Sequence, residues 1–332
     1  MQSVIQYQKN VFTRFFSVAP GVWGLKDVFV NIYMILNHFD GNWVLVDTGL
    51  KWSSSKIKKM ARQIFGDDAK PSAIILTHGH FDHVGALYQL AMEWNVPVFA
   101  HYLEMPYITG KSSYPPTDPT VGGGLMSYMA WTYPTAPINI HNYANILPEN
   151  GRVPGLPEWK YIHTPGHSPG HISLFRESDG VLIAGDAFVT TNAESLFSVL
   201  FQTKKISGPP KYLTYDWALA KESVKSLMRL EPEIVATGHG RPMKGAEVRD
   251  SLHNLSDHFY SMATPTSGRY IDEPAVTNAT GLLYVPPNNI NVRNMMIKLL
   301  SATAISAFAY LLISMKKKKK KQLEQILDYE TW

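Results

Sequence analysis

Thr77-His78-Gly79-His80-Phe81-Asp82-His83 sets three imidazoles and a carboxylate within one short loop, directly after an apolar run at residues 73–76. Packing offers little reason to crowd such side chains behind a buried strand. Imidazole nitrogen and carboxylate oxygen are the donors that zinc and similar divalent ions favour, so the run is a candidate metal cluster. Three more polar residues stand in the same relation to an apolar strand. His167 follows the strand expected at 160–163, Asp186 follows 181–184, and His239 follows 234–237. Strand ends converge on one edge of a sheet, where α/β proteins place their chemistry. Five His and two Asp are therefore expected to meet in one site.

Around these clusters the chain alternates between strand and helix patterns. Residues 28–36 and 43–47 read as strands joined by a turn at Asp40-Gly41. Helices are expected over 53–65, 84–94, 217–230 and 246–262, and further strands over 96–100 and 171–175. The alternation points to an α/β fold with helices covering the sheets. Residues 102–157 differ in character, being rich in Pro, Gly and Tyr and holding Gly122-Gly123-Gly124. A stretch of this length without evident structure is either functional or poorly ordered.

The bulk properties narrow the chemistry. With 332 residues, 45% hydrophobic and 17% charged, the chain can bury one large core or two modest ones. The absence of Cys removes disulfides, thiolate nucleophiles and Cys-ligated zinc, so any metal must sit on His and carboxylates. The formal charge of +4 belongs to the tail: Lys316 to Lys321, offset by Glu324, Asp328 and Glu330, leave the preceding 315 residues at only +1. A nucleic-acid partner is not expected on that balance. The first residues lack a charged stretch followed by an apolar run, so no secretory signal is expected.

In order along the chain, T-H-G-H-F-D-H (77–83), H-T-P-G-H-S-P-G-H (163–171), A-G-D-A (184–187) and T-G-H-G (237–240) resemble the motifs of the metallo-β-lactamase-fold hydrolases. Val46-Asp47-Thr48-Gly49 is similar to the first motif of that superfamily, and the T-P-G-H element is shared with its glyoxalase II-like branch. The resemblance spans residues 22–243. It implies a four-layer αββα sandwich with the metals at one edge of two facing sheets. It further implies that His78, His80 and His167 hold one metal, that Asp82, His83 and His239 hold a second, and that Asp186 bridges both. Asp47 would support the ligand loop, with His163 and His171 structural.

The cofactor expected is a pair of divalent ions, zinc first, with manganese or iron as alternatives. The implied reaction is hydrolysis of an ester, thioester or related bond of a small molecule by a metal-activated hydroxide, with Asp82 and Asp186 orienting the nucleophile. Two other readings stay open. One is a mononuclear iron oxidoreductase resembling the persulfide dioxygenases, and the other is a non-catalytic, membrane-associated binding protein of the same fold.

Glyoxalase II-like thioesterases recognise glutathione partly through basic residues near the C-terminus, for which Arg241, Lys244 and Arg249 are candidates. Lactonases of the superfamily place a Tyr soon after the bridging Asp. Here Phe188-Val189-Thr190 occupies that stretch, leaving Tyr212 or Tyr215 to substitute. The layout expected is a catalytic domain over 1–265, with 102–157 as a substrate-selecting roof, then a linker over 266–293. A membrane helix would follow over 294–315 and a polybasic tail over 316–332. Residues 299–315 are apolar around the whole circumference and near the lower length limit for a span. The lysines that follow suit anionic headgroups. A transmembrane helix and a cytoplasmic body associated with the membrane are thus expected, with a buried helix of the domain as the alternative.

Overall fold

Side-chain alternation along the strands builds the architecture. The computed structural model describes residues 13–287, all within the first of two units, Met1–Pro287 and Asn288–Trp332. One sheet has seven strands in sequence order: β1 (Thr13–Ala19), β2 (Val22–Asp27), β3 (Val30–Leu36), β4 (Trp43–Val46), β5 (Ala73–Ile75), β6 (Val98–Ala100) and β7 (Ala144–Ile146). Its first four strands are antiparallel meanders, and the last four run parallel. The second sheet has six strands. These are β8 (Arg152–Val153), β9 (Leu156–His163), β10 (Ile172–Arg176), β11 (Val181–Ile183), β12 (Ile234–Ala236) and β13 (Met243–Lys244), with β11 and β12 parallel.

The alternation sorts these strands into three cores. Ile32, Met34, Leu45 and Ile74 face the helices Ser54–Phe65 and Leu87–Trp94, which contribute Ile57, Met60, Leu87 and Leu90. Their neighbours Tyr33, Ile35, Val44, Val46 and Ile75 turn the other way and meet Ile172, Leu174, Val181 and Ile183 of the second sheet. Leu182 and Val235 then face outward onto the helices Trp217–Met228 and Ala246–Asp257. A period of two along each strand thus yields helix, sheet, sheet and helix in layers, the αββα sandwich.

Backbone bonds tie the two sheets at one edge. Asn31 N–H donates to Gly238 O at 2.7 Å and Ile172 N–H to Thr77 O at 2.9 Å, while Tyr33 Oη donates to Thr237 O at 2.6 Å. The loops after β5, β9, β11 and β12 all open on that edge.

Several elements went unread in the sequence. β1 and β2 precede the first strand expected, since Gly24, Lys26 and Asp27 interrupt their apolar pattern. β7 and β8 lie within the stretch read as irregular, because two or three residues carry no periodicity. The helix expected over 246–262 breaks at His258 into Ala246–Asp257 and Phe259–Met262. The transmembrane helix is also corrected: among the described residues no helix is long and apolar enough to cross a membrane. Residues 294–315, on which that expectation rested, lie outside the described residues.

Leu174, fully buried between the sheets, offers a direct check of the shared core. Leu174→Ala should lower the unfolding free energy by about 2–5 kcal/mol in a denaturant titration, whereas the same change at the exposed Leu283 should cost little.

Candidate metal centre

The loop after β5 turns back on itself, and the Asp47 carboxylate is what it turns around. Asp47 follows β4 directly with a left-handed φ of 61°, a conformation Asp tolerates better than most residues. Its Oδ1 accepts the Thr77 N–H at 2.8 Å, and its Oδ2 accepts the Thr77 hydroxyl at 2.7 Å and lies 2.8 Å from His83 Nδ1. The second ring nitrogen of His83 is thereby aimed inward.

The other four imidazoles follow the same rule: one nitrogen is tied to the scaffold and the other faces the centre. His78 Nδ1 lies 3.0 Å from the Thr77 hydroxyl, and His80 Nε2 lies 3.4 Å from the Tyr215 hydroxyl. His167 Nδ1 lies 3.3 Å from the Thr214 hydroxyl, and His239 Nδ1 lies 2.8 Å from Phe29 O. Tethers of this kind fix ring orientation and tautomer in metal sites.

All seven residues expected at the site come together, and all are buried. The inward atoms form overlapping groups within 4.8 Å: His78 with His80 and His167, His78 with His83 and Asp186, and Asp82 with His83 and His239. Asp186 Oδ2 sits among them, 3.0 Å from His239 Nε2, 3.5 Å from His167 Nε2 and 3.7 Å from His83 Nε2. Asp82 Oδ2 is 3.5 Å from His239 Nε2. His80 Nδ1 and His167 Nε2 are 3.0 Å apart.

The donor set fits divalent cations. His78 Nε2, His83 Nε2 and Asp186 Oδ1 are buried with no hydrogen-bond partner, an arrangement that costs free energy unless a cation satisfies them. Burial and the neighbouring rings push His78 and His80 well below the ordinary histidine range, and burial takes His167 down to about 3. Neutral imidazole is the form that binds metal. On the other side burial opposes the charged form, but Asp47 raises His83 and Asp186 raises His239. Burial likewise opposes the Asp186 carboxylate, yet His239 and His83 hold it well below the usual range.

Spacing also required glycine here. A Cβ on Gly238 would stand 2.0 Å from Asp186 Oδ1 and 2.9 Å from His83 Cε1, so the T-G-H-G loop can pass only without a side chain. His171 is in the site as a support: its Nε2 accepts the Asp186 N–H at 2.8 Å, and its Nδ1 lies 2.8 Å from the Thr164 hydroxyl. His163 is outside, stacked on His101 at 4.0 Å and bonded to Pro169 O.

Glu104 escaped the sequence reading. It is fully buried and accepts from Gly79 N–H at 2.9 Å, Gly170 N–H at 2.7 Å, the Ser168 hydroxyl at 2.8 Å and the Tyr114 hydroxyl. It thus joins the 77–83 loop to the 164–171 loop. A lone acid in a mixed stretch carries no sequence signal for that role.

Aromatic side chains wall the centre. Phe29 stacks near His239 at 6.0 Å, Phe81 on Tyr133 at 5.3 Å, and Tyr133 packs edge-on to Tyr212 at 5.4 Å. Tyr107, Tyr114, Val121, Met126 and Ala130 pack with Tyr212, Tyr215 and Tyr270 into one buried cluster. Much of residues 107–133 is therefore ordered packing. Tyr215 is committed to His80, whereas Asp82 and Asp186 lie close enough to Tyr212 to add to the upward push of burial on its phenol.

Comparison with known proteins follows the same lines. The pattern that defines the metallo-beta-lactamase superfamily matches residues 25–239. The probable metallo-hydrolase YflN of Bacillus subtilis (strain 168) is 45% identical over 74% of this chain and 94% of its own length. A hydroxyacylglutathione hydrolase of Erwinia tasmaniensis is 29% identical over 50% of this chain and 51% of its own. Among solved structures, a metallo-beta-lactamase from Erythrobacter litoralis shares the fold at TM-score 0.51 and 17% identity, covering 76% of this chain and 100% of its own.

Asp47→Asn keeps the shape of the tether but removes its charge. Zinc affinity measured by chelator competition should fall about 10–100-fold, while Lys58→Met, in an exposed ion pair with Glu93, should leave it unchanged.

Proposed function

This chain belongs to the metallo-beta-lactamase superfamily, and from that premise we propose that it is a dinuclear metal-dependent hydrolase of small-molecule esters or thioesters. The observation that carries the reading is the position of Asp186 Oδ2 between the His78/His80/His167 group and the Asp82/His83/His239 group. A carboxylate so placed favours two ions with a shared ligand over a single iron. In this reading His78, His80 and His167 would hold one ion, Asp82, His83 and His239 would hold the other, and Asp186 would serve both.

Bound divalent ions, zinc being the first candidate, would supply Lewis acidity and a water acidified towards neutrality. The chain's own groups do the rest. Asp82 and Asp186 accept and orient protons at the centre, and neither needs to form a covalent intermediate. Tyr212, which packs edge-on to Tyr133 in the aromatic wall and lies within electrostatic reach of both carboxylates, is the candidate donor for the oxygen or sulfur that gains charge as the bond breaks. Phe29, Phe81 and Tyr133 exclude water and suit an apolar acyl portion. The likeness to a hydroxyacylglutathione hydrolase supports a thioester among the candidate substrates.

Metal quantification on purified protein, coupled to a screen of esters, thioesters, lactones and phosphodiesters, tests the reading. Two ions per chain and turnover of an ester or thioester are expected; one iron per chain with oxygen consumption would sink it. His80→Ala and Asp186→Asn should each abolish turnover with the fold retained by circular dichroism. Tyr212→Phe should lower kcat about 10²-fold or more, with a smaller effect on KM.

A further inference from the structure

In the antiparallel register of the first sheet, Arg14 lies opposite Lys26, and Lys26 opposite Asn31. Directly opposed residues share a face, so these side chains form one cross-strand row. Asn31 shows its direction: Nδ2 donates to Thr237 O at 2.8 Å and to Gly240 O at 2.7 Å. Arg241 is the next residue of that loop. The neighbouring acid, Asp27, alternates to the opposite face of β2, where Ser53 Oγ at 2.7 Å and Lys56 Nζ at 2.5 Å hold it. It does not neutralise the row.

Lys26 is 1% exposed, and its Nζ donates to Leu200 O at 3.0 Å. Burial, then Arg14 and Arg241, push its ammonium down to about 8, so the three cations feel one another. Arg14 and Arg241 form no ion pair with any described residue, and the Nε of each is buried with no hydrogen-bond partner. Gln202, 6% exposed and two residues beyond Leu200, also has an Nε2 with no partner. Buried donors without acceptors and crowded like charges each cost free energy. One anion relieves both.

We propose that Arg14, Lys26 and Arg241 form a subsite for an anionic group, carboxylate or phosphate, carried by the substrate, an assignment that rests on the hydrolase reading above. The two guanidiniums are only half-buried, so a ligand can reach them. Asn31, at the near end of the row, bonds through its N–H to Gly238, which lies against Asp186. Lys26 and Arg14 follow at one and two strand spacings, about 5 and 10 Å further along the edge. A short ester or thioester with a charged end at that reach would span both sites. Of the three basic residues singled out after His239, Arg249 is paired with Glu233 and Lys244 is exposed, which leaves Arg241 for this role.

Calorimetric titration of succinate and of inorganic phosphate into the zinc-loaded protein tests the subsite without turnover, so it stands even if no ester is hydrolysed. Contact of either anion with the metals is common to all the proteins compared, so differences between them isolate the subsite. Arg14→Gln and Arg241→Gln should each weaken one of the two anions about tenfold or more, and the anion affected identifies the group. Should Arg14→Gln fail to fold, Arg241→Gln, on its loop, reads the same quantity. Wild-type affinity for both anions in the folded variants would overturn the proposal. In kinetics, the kcat/KM preference for mono-4-nitrophenyl succinate over neutral 4-nitrophenyl butyrate should fall by a similar factor when succinate is the anion affected. A preference that stays at the wild-type value while succinate binding falls would overturn the assignment to the substrate.

Discussion

The carboxylate of Asp47 is the constraint from which the rest of the site follows. It is buried, it sits at the end of a strand that is itself buried on both faces, and its oxygens are used up on Thr77 and His83. A rotation of that group would move the start and the end of the 77–83 loop together. Sites mounted on strand ends hold their geometry better than sites on free loops. Glu104 does the corresponding work on the opposite side, where it binds backbone N–H groups of two ligand loops. Two buried acids, neither facing the centre, thus set the positions of the groups that do.

Charge accounts for the asymmetry of the centre. The His78, His80 and His167 side offers neutral nitrogens, and burial together with mutual repulsion keeps protons off them. The Asp82, His83 and His239 side carries the carboxylates, which draw protons onto the imidazoles instead. Buried negative charge demands a cation. In the two-metal reading proposed above, a proton on His83 or His239 stands in for the divalent ion that side would hold.

Much of this was legible in the sequence, for identifiable reasons. Residues able to ligate metal, each placed just after a short apolar strand, singled out the seven by position, and the structure brings their side chains together. Apolar runs at 28–36, 43–47 and 73–76 marked strands, and the resemblance of the motifs, not the runs themselves, implied the layered fold. What stayed hidden depends on partners far apart in sequence. Asn31 and Tyr33 hold the 237–240 loop across more than 200 positions, and nothing local marks a polar residue inside an apolar strand as useful. Glu104 is equally silent. Residues 107–133 lacked periodicity because their helical pieces, Leu125–Tyr128 and Ala130–Thr132, are about one turn each, and aromatic rings packed against Tyr212, Tyr215 and Tyr270 supply much of the remaining order.

The sparse net charge of the body conceals how its charges are distributed. With only +1 over the first 315 residues, the chain gives no global attraction for an anion. The site edge differs locally. Two divalent ions would outweigh the carboxylates of Asp47, Asp82 and Asp186, and Arg14, Lys26 and Arg241 stand a strand or two away on the same edge. Field lines concentrate where low-dielectric walls surround charge of one sign, and the Phe29, Phe81 and Tyr133 rings are such walls. A ligand with an apolar middle and a negative end would be oriented by that edge before it touched the metals. Specificity for such a ligand needs no change in the metal ligands, only in the residues beside them.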